Sequence, residues 1–248
     1  MFLTEHPLFD EIIYKNKLNS TSTHAYSLIK DKLVRGNFIV VAEEQSSGKG
    51  RQKNIWYSPK GGLWFSMGLY NIVQNSSITL YIAVILHQTL LDIYPSMAGD
   101  LQIKWPNDIM LGGKKVCGIL TSYYSWAKYL ICGIGLDTNV ENMPIELSEI
   151  ATSLRGYLGI EINNSIILKT FLDKLYASLP LFIENGFIPY KSYYNKNSYL
   201  KGKVITLDTE FQLFNGKVLK VNGKGALIME LGESLIQPFY SGSVVKID

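Results

Sequence analysis

Cysteine is scarce in this chain of 248 residues, where only Cys117 and Cys132 occur. Two thiols do not make a disulfide framework, and no zinc-type spacing accompanies them, so a reduced compartment is the simple expectation. Histidine is nearly as rare. His6, His24 and His87 share no motif, and no Ser/His/Asp set suggests itself. Charged residues make up only 18% of the chain and the net charge is +3. That charge favours anionic ligands weakly and falls far short of a dedicated nucleic-acid binder. Long apolar runs are also missing. The stretch Ile82–Leu91 is broken by His87 and Gln88, and spanning a bilayer takes roughly 20 apolar residues. The start of the chain carries Glu5, Asp10 and Glu11 where a secretory leader would have a basic segment and an apolar run. A cytoplasmic protein without a membrane partner is expected.

What is present is a core-forming composition. Hydrophobic residues make up 47%, which suits one large domain or one large and one small. Residues 12–18 are short and β-compatible. The segment Ser22–Leu33 reads as a helix capped by Ser22 or Thr23, with Ala25, Leu28, Ile29 and Leu33 on one face. Residues 37–43 read as a buried strand, residues 44–59 as a polar loop, and Leu63–Tyr70 as a strand. Ile78–Tyr94 and Asn163–Ile183 have helical periodicity. Strands are predicted at 101–105, 108–111, 115–124 and 129–136, with the Gly112-Gly113 pair as a hairpin signal. From Lys201 the text turns to short β-runs cut by Asn215-Gly216, Asn222-Gly223, Gly232 and Gly242, which argues for a small β-barrel. The fold class expected is α+β, with a mixed, mostly antiparallel sheet and flanking helices.

Three constellations carry chemistry. Gly48-Lys49-Gly50-Arg51 alternates glycine with cations, so backbone N–H groups and positive charge can meet a carboxylate or phosphate; it also fits a solvated basic loop. Residues 42–66 contain neither a P-loop nor a dinucleotide fingerprint. In Lys104-Trp105-Pro106-Asn107-Asp108 a strand ends in a proline stop with a cation, an amide and a carboxylate clustered there, although Pro-Asn-Asp is also ordinary turn chemistry. In Gly113–Leu120, Gly118 interrupts an apolar strand, and Gly133 and Gly135 interrupt the next. Such glycines mark close approach of a ligand or backbone, or a β-bulge.

In order and spacing these segments resemble the catalytic domain of biotin–protein ligases. The match runs over residues 20–140: the glycine–arginine loop followed by W-x-S-P-x-G-G at Gly48–Gly62, an unchanged KWPND at Lys104–Asp108, G-x-K-[LV]-x-G-I-L at Gly113–Leu120, and a form of G-I-G-I-N-x-N at Gly133–Asn139. The resemblance implies an α+β fold of the class II aminoacyl-tRNA synthetase and biotin synthetase type over residues 1–200, with an SH3-like domain at 201–248. It implies that biotin and ATP form biotinyl-adenylate, normally with magnesium, and that a lysine of a biotin carboxyl carrier protein then takes the biotin. No residue is assigned to a metal.

By the same resemblance Ser22, Thr23, His24, Gln45, Lys49, Gly50, Arg51, Trp56, Lys115, Gly118 and Gly133 fall at biotin-site positions. Arg51, Lys104, Asn107, Asp108, Lys115, Asp137 and Asn139 fall at ATP-site positions. Lys115, with Arg51, Lys104 and Asp108, is expected to carry catalysis through phosphate electrostatics. The chain departs from the pattern at His24 and Asp137, where asparagine is usual, at Lys49, where arginine is usual, at Asn54, and at Ser243, where glutamate is frequent. The stretch before Ser22 is too short for the family's DNA-binding domain, so no DNA partner is expected, and the chain should be a monomer or homodimer. A lipoate ligase or octanoyltransferase shares the fold and is the alternative; the intact KWPND and W-x-S-P-x-G-G blocks argue against it.

Overall fold

The computed structural model describes residues 3–72, 75–232 and 235–248. In chain order the elements are β1 (Glu11–Leu18), α1 (Thr21–Lys30), β2 (Phe38–Lys49), β3 (Ile55–Ser58), β4 (Leu63–Tyr70), α2 (Ile78–Ile93), β5 (Leu101–Lys104), β6 (Asp108–Leu111), β7 (Lys114–Tyr124) and β8 (Tyr129–Leu136). They continue with α3 (Ile145–Ser148), α4 (Leu154–Leu158), α5 (Asn164–Asn185), α6 (Lys191–Lys196), β9 (Val204–Asp208), β10 (Leu213–Val221), β11 (Leu227–Leu231), β12 (Ile236–Phe239) and β13 (Ser243–Ile247). The large sheet runs β1-β2-β4-β8-β7-β6-β5, with β3 paired to β2. Among the described residues, the edge pair β1–β2 is parallel and the other strand pairs of this sheet are antiparallel. The small sheet is antiparallel throughout, in the order β12-β11-β10-β9-β13.

Period-two alternation assigns the two faces of the large sheet. On β2 and β4, Ile39, Val41, Phe65 and Met67 join one core with α2 and α5, while Phe38 and Val40 join a second, smaller core under α1. Helix α2 is buried nearly all round, from Ile78 to Leu90, which is why it lies between the sheet and α5 rather than on the surface. Asn163 caps α5 by accepting from the Ser165 and Ile166 N–H groups, and Gly186 ends it at φ +60°. The small sheet docks through Trp105, whose buried indole N–H donates to the Gly225 carbonyl at 3.1 Å.

Several expectations are corrected. Helix α1 spans Thr21–Lys30 and is capped by Ser20, whose side chain accepts from the Thr23 N–H; Leu33 is 67% exposed. Residues 44–59 are not one loop. β2 continues to Lys49, Arg51–Lys53 form a 3-10 turn, and β3 pairs back onto β2. Asn215-Gly216 lies inside β10, not at a turn, and the β9–β10 connection falls at 209–212. Among the described residues no helix is long and apolar enough to cross a membrane.

His87 is buried on α2. Its Nε2 lies 2.9 Å from the Leu101 carbonyl, which can only accept, so Nε2 carries the hydrogen and Nδ1 accepts from Tyr193 Oη at 2.9 Å. Burial holds its pKa below the ordinary histidine value. The unfolded chain therefore takes up a proton near pH 6.5 that the folded chain refuses, so stability falls as pH drops below that point. His87→Gln should flatten the dependence of Tm on pH between 7 and 5. An unchanged slope would place the acid sensitivity elsewhere.

Candidate active site

The same alternation builds the site. On β8, Tyr129 and Ile131 belong to the α1 face, and the next two positions on that face are Gly133 and Gly135. Across the ladder Gly118 of β7 pairs with Gly135, and Leu120 with Gly133. Side chains that would cover the sheet are missing here, and α1 is only ten residues long. A cavity of about 540 Å³ opens between its N-terminus, β3, the β5–β6 turn and β13.

One end of the cavity is a chain of hydroxyls and an amide. Gln45 Oε1 accepts from the Thr21 N–H at 2.7 Å, and Gln45 Nε2 donates to Ser58 Oγ at 2.9 Å. Thr21 Oγ1 and Ser22 Oγ both lie within hydrogen-bond distance of Ser66 Oγ, at 2.7 and 2.9 Å. Two glycine spaces are filled by protein. A Cβ on Gly133 would stand 2.4 Å from Ser22 Oγ, and one on Gly135 2.4 Å from Trp56 Nε1. Trp56 also lies against Gly118. Its indole N–H is buried without a hydrogen-bond partner among the described residues.

The other end is cationic. Lys115 Nζ forms an ion pair with Asp108 Oδ1 at 2.7 Å and sits 4.9 Å from the centre of the Trp56 ring. A register shift in the β6–β7 ladder leaves Val116 unpaired with β6, so a bulge falls next to Lys115, while Gly118 stays paired with Asp108. The Lys115 backbone is pinned by Ile150 and Thr152. Asn107 is held on both sides: its Nδ2 donates to the Ile119 carbonyl, and its own carbonyl accepts from the Ile119 N–H, each at 2.9 Å. Burial lowers the Lys104 and Arg51 pKa values while Asp108 pulls both back up. Arg51 Nη2 donates to the Gly242 carbonyl at 2.9 Å, and Ser243 Oγ donates to Gln52 Oε1 at 3.3 Å. Asp137 is 5% exposed; burial pushes its carboxyl well above the usual range, with Lys115 opposing.

Ser22, Gln45, Lys49, Gly50, Arg51, Trp56, Lys104, Asn107, Asp108, Lys115, Gly118, Gly133 and Asp137 thus meet in one cavity wall. Three expected residues do not line it. Thr23 serves the α1 cap through its N–H. Burial, and after it the nearby charge of Lys15, lowers the pKa of His24. Asn139 spends both ends of its amide on Ile162, donating at 2.9 Å and accepting at 2.8 Å. Thr21, Ser58 and Ser66 escaped the sequence reading. For Ser66 a signal existed: it is a hydroxyl in the otherwise apolar run Leu63–Leu69.

The sequence profile of the Biotin/lipoate A/B protein ligase family matches residues 14–139. The bifunctional ligase/repressor BirA of Bacillus subtilis (strain 168) is 31% identical over 245 residues, covering 94% of this chain and 73% of that protein. The biotin–[acetyl-CoA-carboxylase] ligase of Paracoccus denitrificans is 31% identical over 128 residues, 50% of this chain and 52% of that one. Among solved structures, the biotin protein ligase from Aquifex aeolicus in complex with biotin and ATP superposes with a TM-score of 0.84 at 27% identity, covering 94% of this chain and 97% of its own. Profile, relatives and fold agree: the chain belongs to the Biotin/lipoate A/B protein ligase family.

Proposed function

We propose that the chain is a biotin–protein ligase that makes biotinyl-5′-AMP and passes the biotin to a lysine of a biotin carboxyl carrier protein. The observation that carries this reading is the joining, in one cavity, of a polar hydroxyl–amide end with a cationic end across a glycine floor. The first end suits a cyclic urea, the second a triphosphate.

In the first step a biotin carboxylate oxygen attacks the α-phosphorus of ATP and pyrophosphate leaves. In the second the acceptor amine attacks the acyl carbon, the acyl–oxygen bond breaks, AMP departs and the amine's proton goes to solvent. No enzyme nucleophile is needed. Lys115, Arg51 and Lys104 hold positive charge where phosphate charge develops, and Asp108 fixes the Lys115 ammonium. Asn107 and Asp137 fall on the nucleotide side. Magnesium would enter with ATP, as part of the substrate. The division into a ligase domain at 1–200 and an SH3-like domain at 201–248 fits the two separate sheets. Cytoplasmic location fits two buried free thiols.

Purified protein given biotin and ATP should release pyrophosphate in a biotin-dependent way; no release would overturn the reading. A thermal shift with lipoate but none with biotin would favour a lipoate ligase instead.

A further inference from the structure

The hydrogens at the polar end can be counted one by one. The Trp56 carbonyl can only accept, so the single hydroxyl hydrogen of Ser58 is committed to it at 2.9 Å. Ser58 then has only lone pairs to offer Gln45. The Gln45 NH2 must face Ser58, and its oxygen must face Thr21, where it takes the backbone N–H. The amide orientation is thereby set by its partners.

Thr21, Ser66 and Ser22 follow as a row of three hydroxyls with one hydrogen each. Thr21 Oγ1 is 3.1 Å from Gln45 Oε1 and 2.7 Å from Ser66 Oγ, which is 2.9 Å from Ser22 Oγ. Two arrangements satisfy all three. The hydrogens can run from Ser22 through Ser66 and Thr21 to Gln45, leaving Ser22 with lone pairs toward the cavity. They can also run from Thr21 through Ser66 to Ser22, leaving Ser22 with a hydrogen toward the cavity. Ser66 is the link, fully buried and absent from the cavity wall.

We propose that Ser66 is a specificity-determining positioning residue: through Thr21 and Ser22 it lets the polar end of the cavity present either a donor or an acceptor to a cyclic urea. A urea edge carries N–H donors beside a carbonyl acceptor, so a hydroxyl of adjustable polarity is satisfied by either. A dithiolane ring carries neither, so Ser22 would face it with unanswered lone pairs in the first arrangement and an unanswered hydrogen in the second, which penalises it. This inference rests on the biotin reading given above.

Calorimetry on the full chain tests it. Ser66→Ala, which removes one oxygen from a buried strand position, should raise the biotin Kd about tenfold, as loss of a buried hydrogen-bond partner does. The ATP Kd should stay within about twofold and kcat at saturating biotin should hold. Desthiobiotin, which keeps the urea and lacks the thioether, should lose the same factor. Thr21→Val interrupts the same row, so it should give a similar loss, and the double variant should be no worse than either single one. Losses that multiply to about a hundredfold, an equal loss for ATP, or no loss for Ser66→Ala would overturn the role of Ser66 alone. A wild-type protein without measurable biotin affinity would instead overturn the ligase reading, and this inference with it.

Discussion

Lys115→Ala should slow biotin-dependent pyrophosphate release by about a thousandfold, with a much smaller change in biotin affinity. Strand β7 and the bulge at Val116 place this ammonium, and Ile150 and Thr152 pin its backbone. Its charge therefore needs no reorganisation when phosphate charge builds up. Removing it has a second cost. Asp108, 18% exposed at its side chain and 2.7 Å from the lysine, would face the triphosphate as an unpaired negative charge. The double variant Lys115→Ala/Asp108→Asn separates the two effects. It should recover part of the rate, because the repulsion goes while the missing cation remains. A loss of less than tenfold in the single variant would move the main electrostatic role to Arg51 or Lys104.

Gly135→Val is the second large effect expected, and its two readouts should move in opposite directions. Gly135 sits inside β8 between Ile134 and Leu136, where glycine costs stability and a β-branched residue is favoured. On that ground alone Tm should hold or rise. The new Cβ, however, would stand 2.4 Å from Trp56 Nε1 and 2.8 Å from Cε2. The indole must leave the Gly118–Gly135 floor, and the valine methyls take space in the cavity. A displacement of this size commonly costs about a hundredfold, so kcat/KM for biotin should fall by that much or more. A variant that is both stable and fully active would show that the glycines serve packing alone. One that simply unfolds would show that Trp56 is part of the core.

Much of the site was legible because its chemistry is local. Lys104–Asp108 is a strand end, a turn and a strand start in five residues, and the β6, β7 and β8 boundaries follow from apolar runs and a glycine pair. The hidden parts depended on distant partners. The run Ser20-Thr21-Ser22-Thr23 offers four good helix caps, and nothing local chooses among them. Ser20 wins because Thr21 and Ser22 are engaged with Gln45 and Ser66, 24 and 44 residues away. The second half of β2 reads as loop because its side chains are mostly exposed or half-buried polar groups, so hydrophobic periodicity is absent although the ladder to β3 is there. Asn215-Gly216 imitates a hairpin. Gly216 is instead required because the Glu230 carbonyl would lie 2.5 Å from a Cβ at that position. Close backbone approach and a turn leave the same mark in a sequence.

The bond from Arg51 to the Gly242 carbonyl closes a loop of 191 residues. Contacts of that span form late, since the entropy of closing the intervening chain must be met before they contribute. Ser243 and Val244 complete the cavity wall from the same distant segment. The cationic end is thus shared between the two sheets: a chain cut before Gly242 would keep Lys115 and Asp108 paired on the large sheet and lose the anchor of Arg51.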